Sequence, residues 1–242
     1  PPRKVIRVCE LRSLGLVFHF SAMALMFYQW GLFSLSWWTI LVALIICTGI
    51  INAYNFMDGI NGITGGYSLV VLGALAYVNT KITAFVEADF IYTSLCAVLV
   101  FNFFNFRKRA TCFAGDVGSV SIAFIVLFLI GKLIIKTGDF SWIILLVVYG
   151  VDSVLTIIHR LMLHENIGLP HRKHLYQIMA NELKVPHVVV SSVYMAVQAL
   201  VIVGYFYFQE YNYWYLLGSI LILSGTYILF MKKYFHLQLL QI

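Results

Sequence analysis

Asp58 stands in Asn52-Ala-Tyr-Asn-Phe-Met-Asp-Gly-Ile-Asn-Gly-Ile-Thr-Gly-Gly66, a polar run between two long apolar stretches. A charged side chain at membrane depth costs about 2.5–3.5 kcal/mol on insertion scales, so it marks a site by default. Gly59, Gly62, Gly65 and Gly66 let backbone approach a ligand closely. The amides that open the following helix favour an anion. Asp58 itself could accept a proton or hold a metal ion. The plain alternative is a tight interhelical turn in which Asp58 or Asn61 caps the next helix. Asn52, Asn55 and Asn61 add more polar groups than one cap requires, which favours a site.

A second interruption runs from Asn105-Phe106-Arg107-Lys108-Arg109 to Gly115-Asp116-Val117-Gly118-Ser119. The cations suit a nucleotide or a diphosphate, and a carboxylate beside phosphates points to Mg²⁺, with Mn²⁺ as a substitute. Phe113 could stack on a base or anchor the chain at the membrane interface. Asp116 could instead be a simple N-cap. The third place is His159-Arg160, His164 and Pro170-His171-Arg172-Lys173-His174-Leu-Tyr176-Gln177. His171 and His174 are three apart and would share a helix face. No cysteine lies near them, which disfavours zinc. A basic, histidine-rich loop fits a diphosphate clamp, and it equally fits ordinary charge asymmetry across a membrane. Asp152 precedes His159 and Arg160 by seven and eight residues, on one helix face, where it would orient a basic residue or form a buried ion pair.

The elements that position these residues follow from composition. Hydrophobic residues make up 62% of the chain and charged residues 11%, against about 25% charged in soluble domains. The chain therefore reads as an all-α, polytopic membrane protein. About eight spans of adequate length are expected, at 12–30, 36–54, 64–80, 89–105, 118–135, 140–158, 188–208 and 213–231. Trp30, Trp37, Trp38, Trp142 and Trp214 lie near span ends, as an aromatic belt should. The cysteines (Cys9, Cys47, Cys96 and Cys112) show no paired spacing and no disulfide framework.

Thirteen of the sixteen basic residues fall on one side of these spans, leaving Lys81, Lys132 and Lys136 on the other. By the positive-inside rule the thirteen-residue side is cytoplasmic. Asp58, Asp116, His171 and His174 all fall on that side, so a single cytoplasmic-face cleft is possible. The formal charge of +6 is thus concentrated on a surface suited to phosphates or anionic lipid. Nucleic acid is not expected as a partner, because no binding module is visible. The 159–187 segment is long for a loop, which is often functional.

Taken together, Asn52–Gly62, Gly115–Ser119 and Pro170–Gln177 resemble the polyprenyl-phosphate N-acetylhexosamine-1-phosphate transferase family, of glycosyltransferase family 4 type. The closest branch is the one that transfers N-acetylglucosamine-1-phosphate to undecaprenyl phosphate. The resemblance covers essentially the whole chain and implies a single integral-membrane transferase domain over 1–242. It implies transfer of a sugar-1-phosphate from a UDP-sugar to a polyprenyl phosphate, with release of UMP and dependence on Mg²⁺. The setting it implies is a bacterial inner membrane and the start of cell-envelope polysaccharide synthesis, O-antigen among them; a homodimer is compatible with it. Asp116 would hold the metal ion, and Asp58 would activate the lipid phosphate or shape the metal site. Asn61, Asn105 and Phe113 would lie near the uridine, with Asn52 and Asn55 beside them. Arg172, His171 and His174 would contact phosphates.

The family's paired-aspartate motif belongs just before a segment like Pro1-Pro2-Arg3-Lys4 and is absent here, so the chain reads as lacking its N-terminal helices. Asn61 stands where many members have a second aspartate, and Tyr176 and Gln177 replace further histidines. A membrane transporter with a cytoplasmic-side anion site is the rival reading, and an inactive fragment or paralogue is another. Transporters place polar residues near the midplane and show internal repeats. Here the polar residues gather at one interface.

Overall fold

A computed structural model describes residues 18–167 and 172–235. His171, the first seventeen residues and those after 235 lie outside the described residues. The chain divides into two compact units, Pro1–Gly49 and Ile50–Ile242. In the first, residues 18–29 form α1 and a short 3-10 turn spans Leu32–Ser34. Helix α2 (Trp37–Met57) straddles the boundary. The second unit continues with α3 (Ile63–Lys81), α4 (Ala88–Asn105), α5 (Gly115–Thr137) and α6 (Val147–Met162). After these come the short α7 (Leu175–Gln177), α8 (His187–Tyr207) and α9 (Asn212–Tyr234).

The regular structure of the described residues is helical, with no strand. Seven of their segments are long and apolar enough to cross a membrane. This follows from the solvent: in lipid, backbone N–H and C=O groups must be paired within the chain, and a helix pairs them locally. The expected span 12–30 is described only from residue 18. The other expected spans match observed helices to within a few residues.

The second unit is built around α3. Its glycines permit close packing on two sides. A Cβ at Gly65 would meet the Asn102 side chain of α4, and one at Gly66 would meet Met195 of α8. The sixth span begins as a 3-10 helix over Phe140–Leu146 before turning α-helical. Runs of that length are uncommon because their hydrogen bonds are poorer. Gln198, fully buried on α8, repairs the junction. Its Nε2 donates to the Ile144 carbonyl at 3.0 Å, and its Oε1 accepts from Val148 N at 3.3 Å and Tyr67 Oη at 2.7 Å. Tyr67 stacks on Tyr149 at 3.7 Å between centroids, and the Tyr149 hydroxyl donates to the Ile63 carbonyl at 2.9 Å.

Two expectations change. Trp37, Trp38 and Trp214 are exposed as a belt requires, but Trp142 is buried edge-on against Tyr205. The 3-10 geometry turns that residue inward. The segment after α6 is not bare loop, because residues 175–182 form one helical stretch that ends in a π turn.

Candidate active site

The loops following α2, α4 and α6 meet at one end of the second unit. Asn61 Nδ2 donates to the Arg107 carbonyl at 3.0 Å and to that of Lys108 at 3.4 Å. The Asn61 amide donates to His187 Nδ1 at 3.4 Å, and Ser191 Oγ donates to the Asn61 carbonyl at 2.8 Å. Asn105 Oδ1 accepts from the Gly62 amide at 2.7 Å, while its Nδ2 donates to the Cys112 carbonyl at 2.7 Å. Ser119 Oγ lies 3.0 Å from Asn55 Oδ1. Tyr176 Oη donates to the Phe56 carbonyl at 2.8 Å.

Neither carboxylate in this cluster belongs to the N-cap residue of the helix that follows it. The N-cap of α3 is Gly62, at φ 83°, where the Phe106 ring fills the space a Cβ would need. The N-cap of α5 is Ala114, with no side-chain cap bond. Asp116 lies in the first turn of α5 and is exposed. Asp58 accepts from Thr64 Oγ1 at 2.7 Å. Burial pushes the Asp58 carboxyl above the ordinary aspartate range. The Thr64 hydroxyl and the Gly115 backbone pull it back, and the negative charge of Asp116 adds to the rise. The segments bearing residues 58 and 116 come together at this end of the unit, where Ser119 of α5 bonds Asn55 of α2.

Asp58 and Asp116 are the residues here whose chemistry suits a divalent ion. Among the described residues no group of three or more His, Cys, Asp and Glu side chains could hold one alone. Two carboxylates are nonetheless a hard, oxygen-only donor set. Mg²⁺ is commonly bound through one or two carboxylates, with waters and substrate phosphates completing its shell. Two like charges drawn together, one of them partly buried, are also what such an ion relieves.

The third segment reaches the site differently from the sequence expectation. His174 does not sit on a helix face. It is the extended N-cap of α7, and residues 172–173 are not helical. Its side chain is 1% exposed, with Nδ1 3.4 Å from Asp152 Oδ1. A ring so placed faces the protein interior, so direct contact with solvent-borne phosphate does not follow from this position; Arg172 is the exposed cation. Asp152 accordingly orients His174 rather than His159 or Arg160. It also accepts from Tyr194 Oη at 2.6 Å, Leu175 N at 3.1 Å and Thr156 Oγ1 at 3.2 Å. Arg160 instead binds Glu165 at 3.1 Å and the Asn166 carbonyl at 2.6 Å, fixing the start of the loop. Hydrogen bonding from Lys173, which outweighs burial, and then from Arg160 holds the Glu165 carboxyl below its ordinary value.

Of the other expected residues, Arg107, Lys108, Arg109 and Phe113 are exposed beside the cluster's loops. The Arg107 guanidinium lies 4.4 Å from the Phe103 ring centroid. Asn55 faces Ser119, and Asn52 is exposed one turn earlier on α2. Asn105 is 6% exposed and is occupied by backbone at both ends of its amide, as a brace between two loops. Asn61 is likewise a brace through its nitrogen atoms. Thr64, Tyr194 and His187 were not singled out for this end of the molecule by sequence, and Tyr176 was noted only as standing in place of a histidine. Only Thr64 carries a local signal, six residues after Asp58; the others depend on contacts across more than 40 residues.

Residues 5–134 match the family described as glycosyl transferase family 4, a stretch that includes both carboxylates. The chain is 28% identical over 149 residues to a Bacillus subtilis protein named "Probable undecaprenyl-phosphate N-acetylglucosaminyl 1-phosphate transferase", covering 60% of this chain and 41% of that one. It is 32% identical over 103 residues to the phospho-N-acetylmuramoyl-pentapeptide-transferase of Lactiplantibacillus plantarum, covering 41% of this chain and 31% of that one. The enzyme of the same name from Lactobacillus acidophilus is 35% identical over 74 residues, 31% of this chain and 23% of its own length. The chain thus spans less than half the length of these curated relatives.

Proposed function

The chain belongs to glycosyl transferase family 4, and from that premise we propose that it transfers a sugar-1-phosphate from a UDP-sugar to a polyprenyl phosphate. In this reading an oxygen of the lipid phosphate attacks the sugar-bearing phosphorus of the UDP-sugar. The bond to the uridylyl phosphate breaks, UMP leaves, and a polyprenyl-diphospho-sugar remains. N-acetylglucosamine-1-phosphate to undecaprenyl phosphate is the specific transfer proposed, at the start of cell-envelope polysaccharide synthesis. The observation that carries the reading is the convergence of the segments that bear Asp58 and Asp116, joined through Asn61, Asn105 and the Asn55–Ser119 pair, beside the exposed Arg107–Arg109 run.

Phosphoryl transfer asks a protein for positioning and charge stabilisation more than for covalent chemistry. Asp58 and Asp116 would hold Mg²⁺, or Mn²⁺ in its place. When bound, the ion supplies neutralisation of the diphosphate and of the charge that develops on the leaving phosphate. Asp58, whose carboxyl is raised by burial, is suited to take part in activating the lipid phosphate. Arg107, Lys108, Arg109 and Arg172 supply positive potential for the donor. Phe113 offers an exposed ring for the uracil. Asn61 and Asn105 keep the loops carrying these groups together, and His174 supports the site from behind through Asp152. The positive-inside bias supports a cytoplasmic site in a bacterial inner membrane, where a UDP-sugar is available and the lipid phosphate enters laterally from the bilayer.

The experiment uses membranes containing the full-length protein, undecaprenyl phosphate, and UDP-N-acetylglucosamine labelled in the sugar-linked phosphate. Label should pass into an organic-extractable lipid, depend on added Mg²⁺, and appear with equimolar UMP. No transfer from any UDP-sugar by a folded preparation would reject the reaction. Transfer from a different UDP-sugar would keep the reaction and correct the substrate.

A further inference from the structure

Tyr176 lies between the two anchored parts of the site and has no role in the reading above. It is fully buried, and its hydroxyl donates to the carbonyl of Phe56 at 2.8 Å. Phe56 belongs to the last turn of α2, whose carbonyls have no partner within the helix. The same hydroxyl occupies the space that a Cβ at Gly59 would need. Tyr176 therefore touches the chain two residues before Asp58 and one residue after it. The turn that carries Tyr176 is fixed from the opposite side. Asp152 accepts from the Leu175 amide at 3.1 Å, and His174 Nδ1 stands 3.4 Å from the same oxygen. Tyr194 and Thr156 hold that carboxylate in place. An unbroken series of contacts thus runs from α6, through residues 174–176, to both flanks of Asp58.

We propose that Tyr176 is a positioning residue for Asp58: anchored through Asp152, its hydroxyl sets the end of α2 and so the placement of Asp58. The inference rests on Asp58 being an acid of the transferase site. It extends that site to a side chain that touches no substrate. The physical reason is steepness: misplacing a reacting group by about 1 Å can cost on the order of a hundredfold in rate.

The test uses the full-length protein in nanodiscs as wild type, Tyr176→Phe, Gly59→Ala and the double variant. The readouts are kcat and KM for UDP-N-acetylglucosamine, thermal midpoint, and amide hydrogen exchange over residues 56–62. Tyr176→Phe keeps the ring and should fold, with only a small drop in midpoint from the one lost hydrogen bond. It should lower kcat on the order of tenfold with KM within about twofold, as expected for a loss felt in the transition state. Exchange over 56–62 should quicken while α8 stays protected. Gly59→Ala should be impaired because its methyl group meets the hydroxyl, and adding Tyr176→Phe should restore part of its kcat by removing that oxygen. Unchanged kcat with unchanged exchange would overturn the proposal. A fall in kcat without faster exchange would also overturn it, because the hydroxyl would then act on substrate. A rise in KM alone would do the same. If the wild type transfers nothing from any UDP-sugar, the transferase reading fails separately. Exchange then decides the positioning claim, with faster exchange in Tyr176→Phe supporting it and unchanged exchange overturning it.

Discussion

Asp58 and Asp139 are both aspartates in loops between membrane spans, yet the protein treats them in opposite ways. Asp139 precedes the sixth span, at the end of the second unit away from Asp58. Its Oδ1 accepts from the Ser141 amide at 2.8 Å, and its Oδ2 from Asn212 Nδ2 at 2.7 Å and from Tyr205 Oη at 3.4 Å. Burial alone would raise its carboxyl; the hydrogen bonds from Ser141, Asn212 and Tyr213 outweigh that and hold it below the ordinary aspartate value. Asp58 has only the Thr64 hydroxyl and the Gly115 backbone to set against its burial, and its carboxyl stays above the ordinary value. A saturated carboxylate staples loops together. One whose donors do not offset its burial is poised for a ligand, and carboxyls with raised pKa values cluster at functional sites. Asp152 falls in the first group, with donors at both oxygens.

Variants at the two ends should separate these uses. The largest effect is expected from Asp116→Asn, which should lower kcat/KM at least about a hundredfold, the scale of losing a major electrostatic contribution at a reacting phosphate. Its thermal midpoint should stay unchanged, because Asp116 is exposed and caps nothing. Asp58→Asn should lose activity to a similar degree without destabilisation, since it removes a like charge. Near-normal turnover in either variant would end the metal role.

Asp139→Asn should show the reverse pattern. A loss of about 1–2 kcal/mol in stability is expected, the scale of one or two hydrogen bonds to a charged group, with kcat unaltered. The sign with pH follows from the lowered carboxyl. Its stabilisation is present above the unfolded-state pKa and is lost as pH falls through the folded-state value. The gap in thermal midpoint between wild type and Asp139→Asn should therefore close on acidification; a gap that widens would mean the carboxylate is not the stabilising form. The smallest effect is expected at Arg107→Gln, a few-fold rise in KM for the UDP-sugar that shrinks with added salt, because exposed charges are screened over about 10 Å at 0.1 M. A salt-independent rise would instead indicate a direct, desolvated contact.

Much of the fold was legible because the physics of a span is local. Trp37–Met57, Ile63–Lys81 and Ala88–Asn105 end where apolar runs meet polar residues, and the bilayer makes no exception for tertiary context. Asp58 and Asp116 were legible for the same reason, as polar groups that a span would not otherwise tolerate. Side-chain direction was not. Trp142 and Trp214 look alike in sequence, yet one is in the core and the other faces outward. Asn105 looked like a ligand and is a brace. His174 looked like one of a pair on a helix face and is instead the N-cap of α7, turned inward onto Asp152. Each of these depends on partners brought near only by packing.

By itself the amino-acid order determined how many times the described chain can cross a membrane, where it turns, and which turns gather polar residues, because hydropathy and insertion cost are summed residue by residue. Tertiary structure alone decided that the Asp58 carboxylate lies within the field of Asp116 while Asp139 is saturated, and that Tyr176 reaches Phe56 across 120 positions. Electrostatic fields and hydrogen bonds act over ångströms in space, and distance along the chain carries no information about them until the helices have packed.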